Sequence, residues 1–339
     1  MKAIKYIVFL VLILGIGFSI YIAVQPNNYR VSRSKTLNAP ATVVYNNVID
    51  FKNWEAWSSW VEADPNIKIT LPEQSKGVGG YYTWQDKDGK GIIKTVAAEP
   101  NSSITQEMQF AEFPKSDISW DFKQNANGTT DVTWTIAGDN LGFGFKLFST
   151  LMGGMEKQIG PHYERSLQKL DSVLVADMQK YSIIVNGEIQ HGGGYYLYNT
   201  TSCKIPEVQN KMPKMLTTLN NFVAKQNISL AGSPFTYYHK WDEANNAVIF
   251  SSCMPTTEKI ISTDPEILTG QLQPFRALKT TLTGNYKNLN EALDTAMAYI
   301  KDNNLSIDEN GPMLEYYIND PKKNPNPADW MTELYVSIK

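Results

Sequence analysis

Glu315 stands in the run Gly311-Pro312-Met313-Leu314-Glu315-Tyr316-Tyr317-Ile318-Asn319-Asp320-Pro321, a single acid inside an apolar and aromatic strand. Side chains on a strand alternate, so Leu314, Tyr316 and Ile318 share one face and Glu315 and Tyr317 the other. A carboxylate beside a tyrosine on a concave face suits a cationic or polar ligand. The plainer alternative is the solvated face of an edge strand. An upstream echo, Gly232-Ser233-Pro234-Phe235-Thr236-Tyr237-Tyr238, bears on the choice, because it also runs Gly, Pro, Tyr-Tyr.

Repetition makes the surrounding elements legible. Each copy follows one helical pattern. Val208, Met212, Met215, Leu216, Leu219, Phe222 and Val223 fall on one face of the first helix, and Leu289, Ala292, Leu293, Ala296, Tyr299 and Ile300 on one face of the second. Each copy also precedes another strand, at 247–250 and 333–338. Residues 181–254 and 272–338 therefore read as two βαββ units forming one antiparallel sheet. The expectation is that both helices cover one face and that a cleft opens on the other, near a pseudo-two-fold axis.

With Gly284-Asn285-Tyr286, Leu314-Glu315-Tyr316-Tyr317, Asn319-Asp320-Pro321 and the terminal Thr332-Glu333-Leu334-Tyr335-Val336-Ser337-Ile338, the last 160 or so residues resemble the GyrI-like effector-binding domain. That domain occurs in gyrase inhibitors and in AraC- and MerR-type multidrug-responsive regulators. The resemblance implies that Glu315 is a buried acid meeting cationic aromatic ligands, with aromatic walls drawn from Tyr286, Tyr317, Tyr195, Tyr238 and Trp330. It also implies a rival activity, since some relatives hydrolyse strained substrates with the same acid.

The chain has 339 residues, 42% hydrophobic and 19% charged, enough for two ordinary domains and a membrane element. A formal net charge of -3 argues against an extended nucleic-acid surface, which needs clustered Lys and Arg. Residues 6–24 form an uncharged apolar run long enough to span a bilayer. No small-x-small cleavage site follows, so residues 1–28 read as an uncleaved transmembrane anchor. Lys2 and Lys5 favour a cytoplasmic N-terminus, with the remaining domains outside the cytoplasm, although Arg30, Arg33 and Lys35 oppose this.

Beyond the anchor, a strand through Leu37 leads into Asn38-Ala39-Pro40, where Asn38 is placed to cap a helix. Trp54, Trp57 and Trp60 could form a stacking platform, but their spacing fits better a helical face packed into a core. Asp88-Gly89 and Asn127-Gly128 mark hairpins, and an amphipathic pattern from about 155 to 180 marks a long helix over the sheet. With Asp50-Phe51-Lys52-Asn53-Trp54, Trp57-Ser58-Ser59-Trp60, Asp64-Pro65 and Lys76-Gly77-Val78-Gly79, residues 29–178 resemble the SRPBCC superfamily, also called START-like or polyketide-cyclase-like. That resemblance implies a helix-grip fold with a cavity for a lipid-like molecule, which Tyr82, Trp84, Met108, Phe110, Trp120 and Trp134 could line unless they are ordinary core.

The fold class is thus α+β: an N-terminal transmembrane helix, a helix-grip domain at 29–178, and a GyrI-like pair of βαββ units at 181–339. No cofactor or metal is expected, since His162, His191 and His239 share no ligand spacing. Cys203 and Cys253 read either as a disulfide or as two buried thiols. The function expected is membrane-anchored binding of an amphipathic or cationic small molecule, with no nucleic acid. Hydrolysis with Glu315 as acid/base, or an interaction module at the membrane surface, are the rival readings. A homodimer through a sheet edge stays open.

Overall fold

The computed structural model describes residues 2–339, so Met1 of the expected anchor lies outside the described residues, as does the Lys2 side chain used for orientation. Two compact units divide the chain, Met1–Asp177 and Met178–Lys339. The chain opens on α1 (Lys2–Ala23), within which Ile4–Ala23 is long and apolar enough to cross a membrane.

The first unit continues through β1 (Tyr29–Leu37), α2 (Ala41–Val48), α3 (Trp54–Trp57), α4 (Ser59–Ala63), β2 (Lys68–Thr70), β3 (Tyr81–Gln85), β4 (Lys90–Glu99), β5 (Ser103–Phe110), β6 (Ser116–Gln124), β7 (Thr130–Gly138), α5 (Phe143–Leu151) and α6 (Met155–Asp177). Its open antiparallel sheet has the order β1-β7-β6-β5-β4-β3-β2. Asp88-Gly89 and Asn127-Gly128 turn the hairpins β3–β4 and β6–β7, as their types require. The long helix α6 is fixed to β1 by Arg33, which bonds Glu156 and Glu164, each at 2.5 Å. The Arg33 guanidinium lies against Gly160, in space a Cβ would occupy. Asn38 does not cap α2. Pro40 holds that position, while the Asn38 backbone N–H donates to Asp171 on α6 (2.7 Å).

The second unit runs β8 (Ser182–His191), β9 (Gly194–Lys204), α7 (Val208–Gln226), β10 (Phe235–Asp242), β11 (Ala247–Thr256), β12 (Leu268–Leu272), β13 (Phe275–Thr283), α8 (Leu289–Asp302), β14 (Met313–Tyr317) and β15 (Met331–Ser337). The sheet order, β12-β9-β11-β10-β14-β15-β13-β8, is symmetric about the β10–β14 pair. Each repeat is therefore ββαββ rather than βαββ, and its first strand is exchanged. β8 precedes β9 but pairs with β13; β12 precedes β13 but pairs with β9. The two links cross at Gly193, which has a φ of 70° and no room for a Cβ beside the Leu272 carbonyl.

Both helices lie on one face of this sheet, as expected. Leu219 and Val223 of α7 pack on Leu197 and Met254, and Ala296 and Ile300 of α8 on Leu278 and Val336. The opposite face holds a separate cluster of Tyr196, Phe235, Cys253, Leu314 and Tyr335. Cys253 belongs to that cluster and Cys203 to the helix side. Cys203 pairs with Val248, five residues along β11 from Cys253. At ~3.4 Å per residue that is about 17 Å, far beyond disulfide reach, and both thiols are free.

Candidate functional site

β10 and β14 run antiparallel with Thr236 opposite Glu315. The pseudo-two-fold therefore exchanges Thr236 with Glu315 and Tyr238 with Tyr317. Glu315 also lies opposite Leu334, which packs on Ala292 of α8. The acid thus faces the helices, correcting the expectation of a cleft on the bare face. That face was already filled, since Leu314 and Tyr316 carry the aromatic cluster there.

Glu315 is 5% exposed. Tyr317 Oη donates to Oε1 (2.8 Å) and Tyr238 Oη to Oε2 (3.0 Å), one tyrosine from each repeat. Because Tyr317 spends its one proton on Glu315, its 2.9 Å contact with Thr236 Oγ1 has the threonine donating. Met212 of α7 closes the arrangement, its sulfur 2.6 Å from Tyr317 Oη and 3.2 Å from Thr236 Oγ1. Burial pushes the Glu315 carboxyl above the ordinary range, while the hydroxyls of Tyr317 and Tyr238 pull it back. No ion pair among the described residues includes Glu315.

Aromatic rings continue from the acid toward solvent. Tyr286 meets Tyr317 edge-on at 5.6 Å and Trp330 at 4.7 Å. Asn285 sets Tyr286 at the start of a short 3-10 turn by accepting from the Lys287 N–H. Burial and the Glu315 charge push the Tyr286 phenol up to about 12, so it stays protonated near neutrality. Asn319 places Trp330: its amide donates to Asp329 O (2.6 Å) and its carbonyl accepts from Met331 N (2.9 Å). The indole N–H of Trp330 in turn holds the preceding loop through Asn324 O (2.7 Å). The loop at 322–327 is thereby tied to Trp330.

Glu315, Tyr317, Tyr238, Tyr286 and Trp330 are brought together. Tyr195 is not: it sits on β9, three strands from β14, about 14 Å away at ~4.8 Å per strand. Thr236 and Met212 were missed as site residues. The signal for Thr236 was its place in the echo, at the position equivalent to Glu315. Also unforeseen are Ser252, opposite Thr236, and Thr332, opposite Tyr317. Their buried hydroxyls have no protein partner and face the same side as the acid. Unsatisfied hydroxyls beside a buried carboxylate are suited to a polar guest or to water.

The interior of the first unit differs. Trp134 stacks on Tyr163 at 3.6 Å and on Trp120 at 4.1 Å, and Trp54 and Trp57 meet both indoles edge-on. Of the residues that could have lined a lipid cavity, Trp120 and Trp134 are core. Tyr82 packs on Phe51, Trp54 and Trp84, and Trp84 stacks on Phe110. His162 is stacked on Trp60 at 4.8 Å and bonded to Ser59 Oγ at 2.8 Å.

Residues 29–175 match a family described as polyketide cyclase / dehydrase and lipid transport. Residues 195–339 match the GyrI-like small molecule binding domain. No curated protein matches the chain. Among solved structures, the C-terminal domain of EcmrR is similar at 16% identity, covering 47% of this chain and 98% of that one, with a TM-score of 0.40. SAV2435, solved bound to tetraphenylphosphonium, is similar at 11% identity over 48% of this chain and 94% of its own, with a TM-score of 0.34. A protein of Chromobacterium violaceum is similar at 16% identity over 44% and 98%, with a TM-score of 0.33.

Proposed function

We propose that this chain, an SRPBCC-like domain followed by a GyrI-like domain, binds a small aromatic cation at Glu315. One observation carries the reading: a carboxylate buried on the helix side of the sheet receives two tyrosine hydroxyls and, among the described residues, no cation. A buried charge without a counter-charge is costly, and the protein offsets part of that cost with hydrogen bonds alone. A guest cation would complete the balance, while Tyr317, Tyr238, Tyr286 and Trp330 present ring faces and edges to its apolar part. Ser252 and Thr332 offer hydroxyls to its polar atoms. Entry requires Met212 to move aside, since its sulfur lies against Tyr317 and Thr236.

The raised Glu315 carboxyl supports a second reading, a hydrolase of strained or activated small molecules using Glu315 as general acid or base. In either reading α1 serves as the anchor, and Lys5 with Lys2 favours placing the remaining chain outside the cytoplasm. The test is a thermal shift of the full chain in detergent with ethidium and rhodamine 6G, comparing the native protein with Glu315→Gln. A guest at about a hundred times its dissociation constant stabilises a fold by ~2.7 kcal/mol. Stabilisation lost in the variant is the expected result. Equal stabilisation of both proteins would remove Glu315 from the site, and dye consumption by the native protein alone would move the reading to hydrolysis.

A further inference from the structure

The short helix α5 turns several large apolar side chains outward while burying Lys146 beside Phe145. Phe143, Phe148, Leu151 and Met152 are 49%, 37%, 67% and 56% exposed, whereas Lys146 is buried. Phe143, Phe148 and Leu151, five and three residues apart, lie on the side of the helix opposite Phe145 and Lys146, and Met152 follows at its C-terminal cap. Between Asn140 and Met155 the only charge is Lys146. An uncharged, bulky apolar face of this kind is costly in water and needs a partner.

Its position identifies that partner. The Lys146 ammonium donates to the carbonyl of Ala23, the last residue of α1, at 3.1 Å. Leu141 N bonds Asn27 O at 3.0 Å, and Phe145 stacks on Tyr29 at 5.7 Å. Phe143 lies along the apolar side of α1 with Ile16, Ile20 and Ala23. α5 is thus bonded to the C-terminal end of α1, at the level where the predominantly apolar span Ile4–Ala23 gives way to Gln25, Asn27 and Asn28. If α1 crosses a bilayer, that level is the water–lipid boundary. Arg30, exposed beside the same cleft as Lys146 and Tyr21, adds a cation at headgroup height.

We propose that α5 is an interfacial helix. Its Phe143, Phe148, Leu151 and Met152 side enters the headgroup and upper acyl region of the membrane that α1 crosses, so that this unit is seated on the lipid surface rather than hung from a free stalk. The partner is lipid, because the apolar side of α5 continues that of α1 on the same chain. A protein partner would need to cover both.

The test places an environment-sensitive fluorophore on the full chain in phosphatidylcholine–phosphatidylglycerol vesicles, in a Cys203→Ser background with the buried Cys253 retained. Labels go at Leu151→Cys on α5, Asn127→Cys at the β6–β7 hairpin and Ile13→Cys within α1. Lipid-borne doxyl groups near the headgroup should quench the Leu151 label at least about threefold more than the Asn127 label, and more than doxyl groups deep in the chains do. The Ile13 label should be quenched most by the deep groups. A Leu151 label no better quenched than Asn127 overturns the proposal, with quenching of Ile13 by the deep groups showing that α1 had inserted. An unquenched Ile13 label overturns it too, by removing α1 from the bilayer.

Discussion

Two aromatic clusters in this chain look alike in composition and differ in what they enclose. In the first unit Trp54, Trp57, Trp120, Trp134 and Tyr163 pack around one another, and three of the indole N–H groups find neutral acceptors in Val48 O, Asn47 Oδ1 and Gln106 Oε1. In the second, Tyr238, Tyr317 and Tyr286 gather around a buried carboxylate that has no counter-cation among the described residues. Ring density is therefore a poor marker of a site, because aromatic side chains are also the largest packing units available. A buried charge left without its opposite is the better marker.

The sharpest way to break this contrast is through the first cluster. Trp134→Ala should cost about 3–5 kcal/mol of stability, as large core truncations do, read as a lowered first-unit transition in calorimetry. Destabilisation under about 1 kcal/mol would mean that the rings surround usable space rather than one another. In the second cluster Tyr317→Phe removes one donor to Glu315 and should weaken ethidium binding by roughly 1–2 kcal/mol, measured by fluorescence titration. A smaller effect is expected from pH. Folding holds the Glu315 carboxyl above its unfolded value, so its contribution to stability is complete below the ordinary carboxylate range and lost as pH rises through the raised folded value. Glu315→Gln should abolish that decline, which denaturant titrations across pH would detect as a flatter stability profile. The smallest effect belongs to Tyr195→Phe, which should change dye affinity by less than about 0.5 kcal/mol.

The parity of Glu315 and Tyr317 was legible in sequence because strand alternation is local, and so were the hairpins at Asp88-Gly89 and Asn127-Gly128. The face to which that parity points was not. β14 is apolar on both sides, with Leu314 in one cluster and Glu315 among the helices, so no hydrophobic pattern distinguishes the sides. The exchange of β8 and β12 was also hidden, since periodicity identifies a strand but not its neighbour. Tyr195 illustrates the consequence: its Tyr-Tyr pairing with Tyr196 resembles the site segments, yet β9 lies three strands from β14. Asn38 shows the same limit at smaller scale: its backbone N–H and side-chain amide donate to Asp171, on a helix more than a hundred residues away, while Pro40 takes the cap position. The close contact of Met212 with Tyr317 likewise arises from packing between α7 and the sheet, where sequence spacing showed only a helix face.

Isothermal titration calorimetry of the full chain with ethidium, in buffers of differing ionisation enthalpy, tests the central claim most directly. Near the raised Glu315 value the account predicts that binding releases a proton, strengthens as pH rises and weakens at least about tenfold, or 1.4 kcal/mol, in Glu315→Gln. Binding that is equally tight in both proteins and takes up or releases no proton would contradict it.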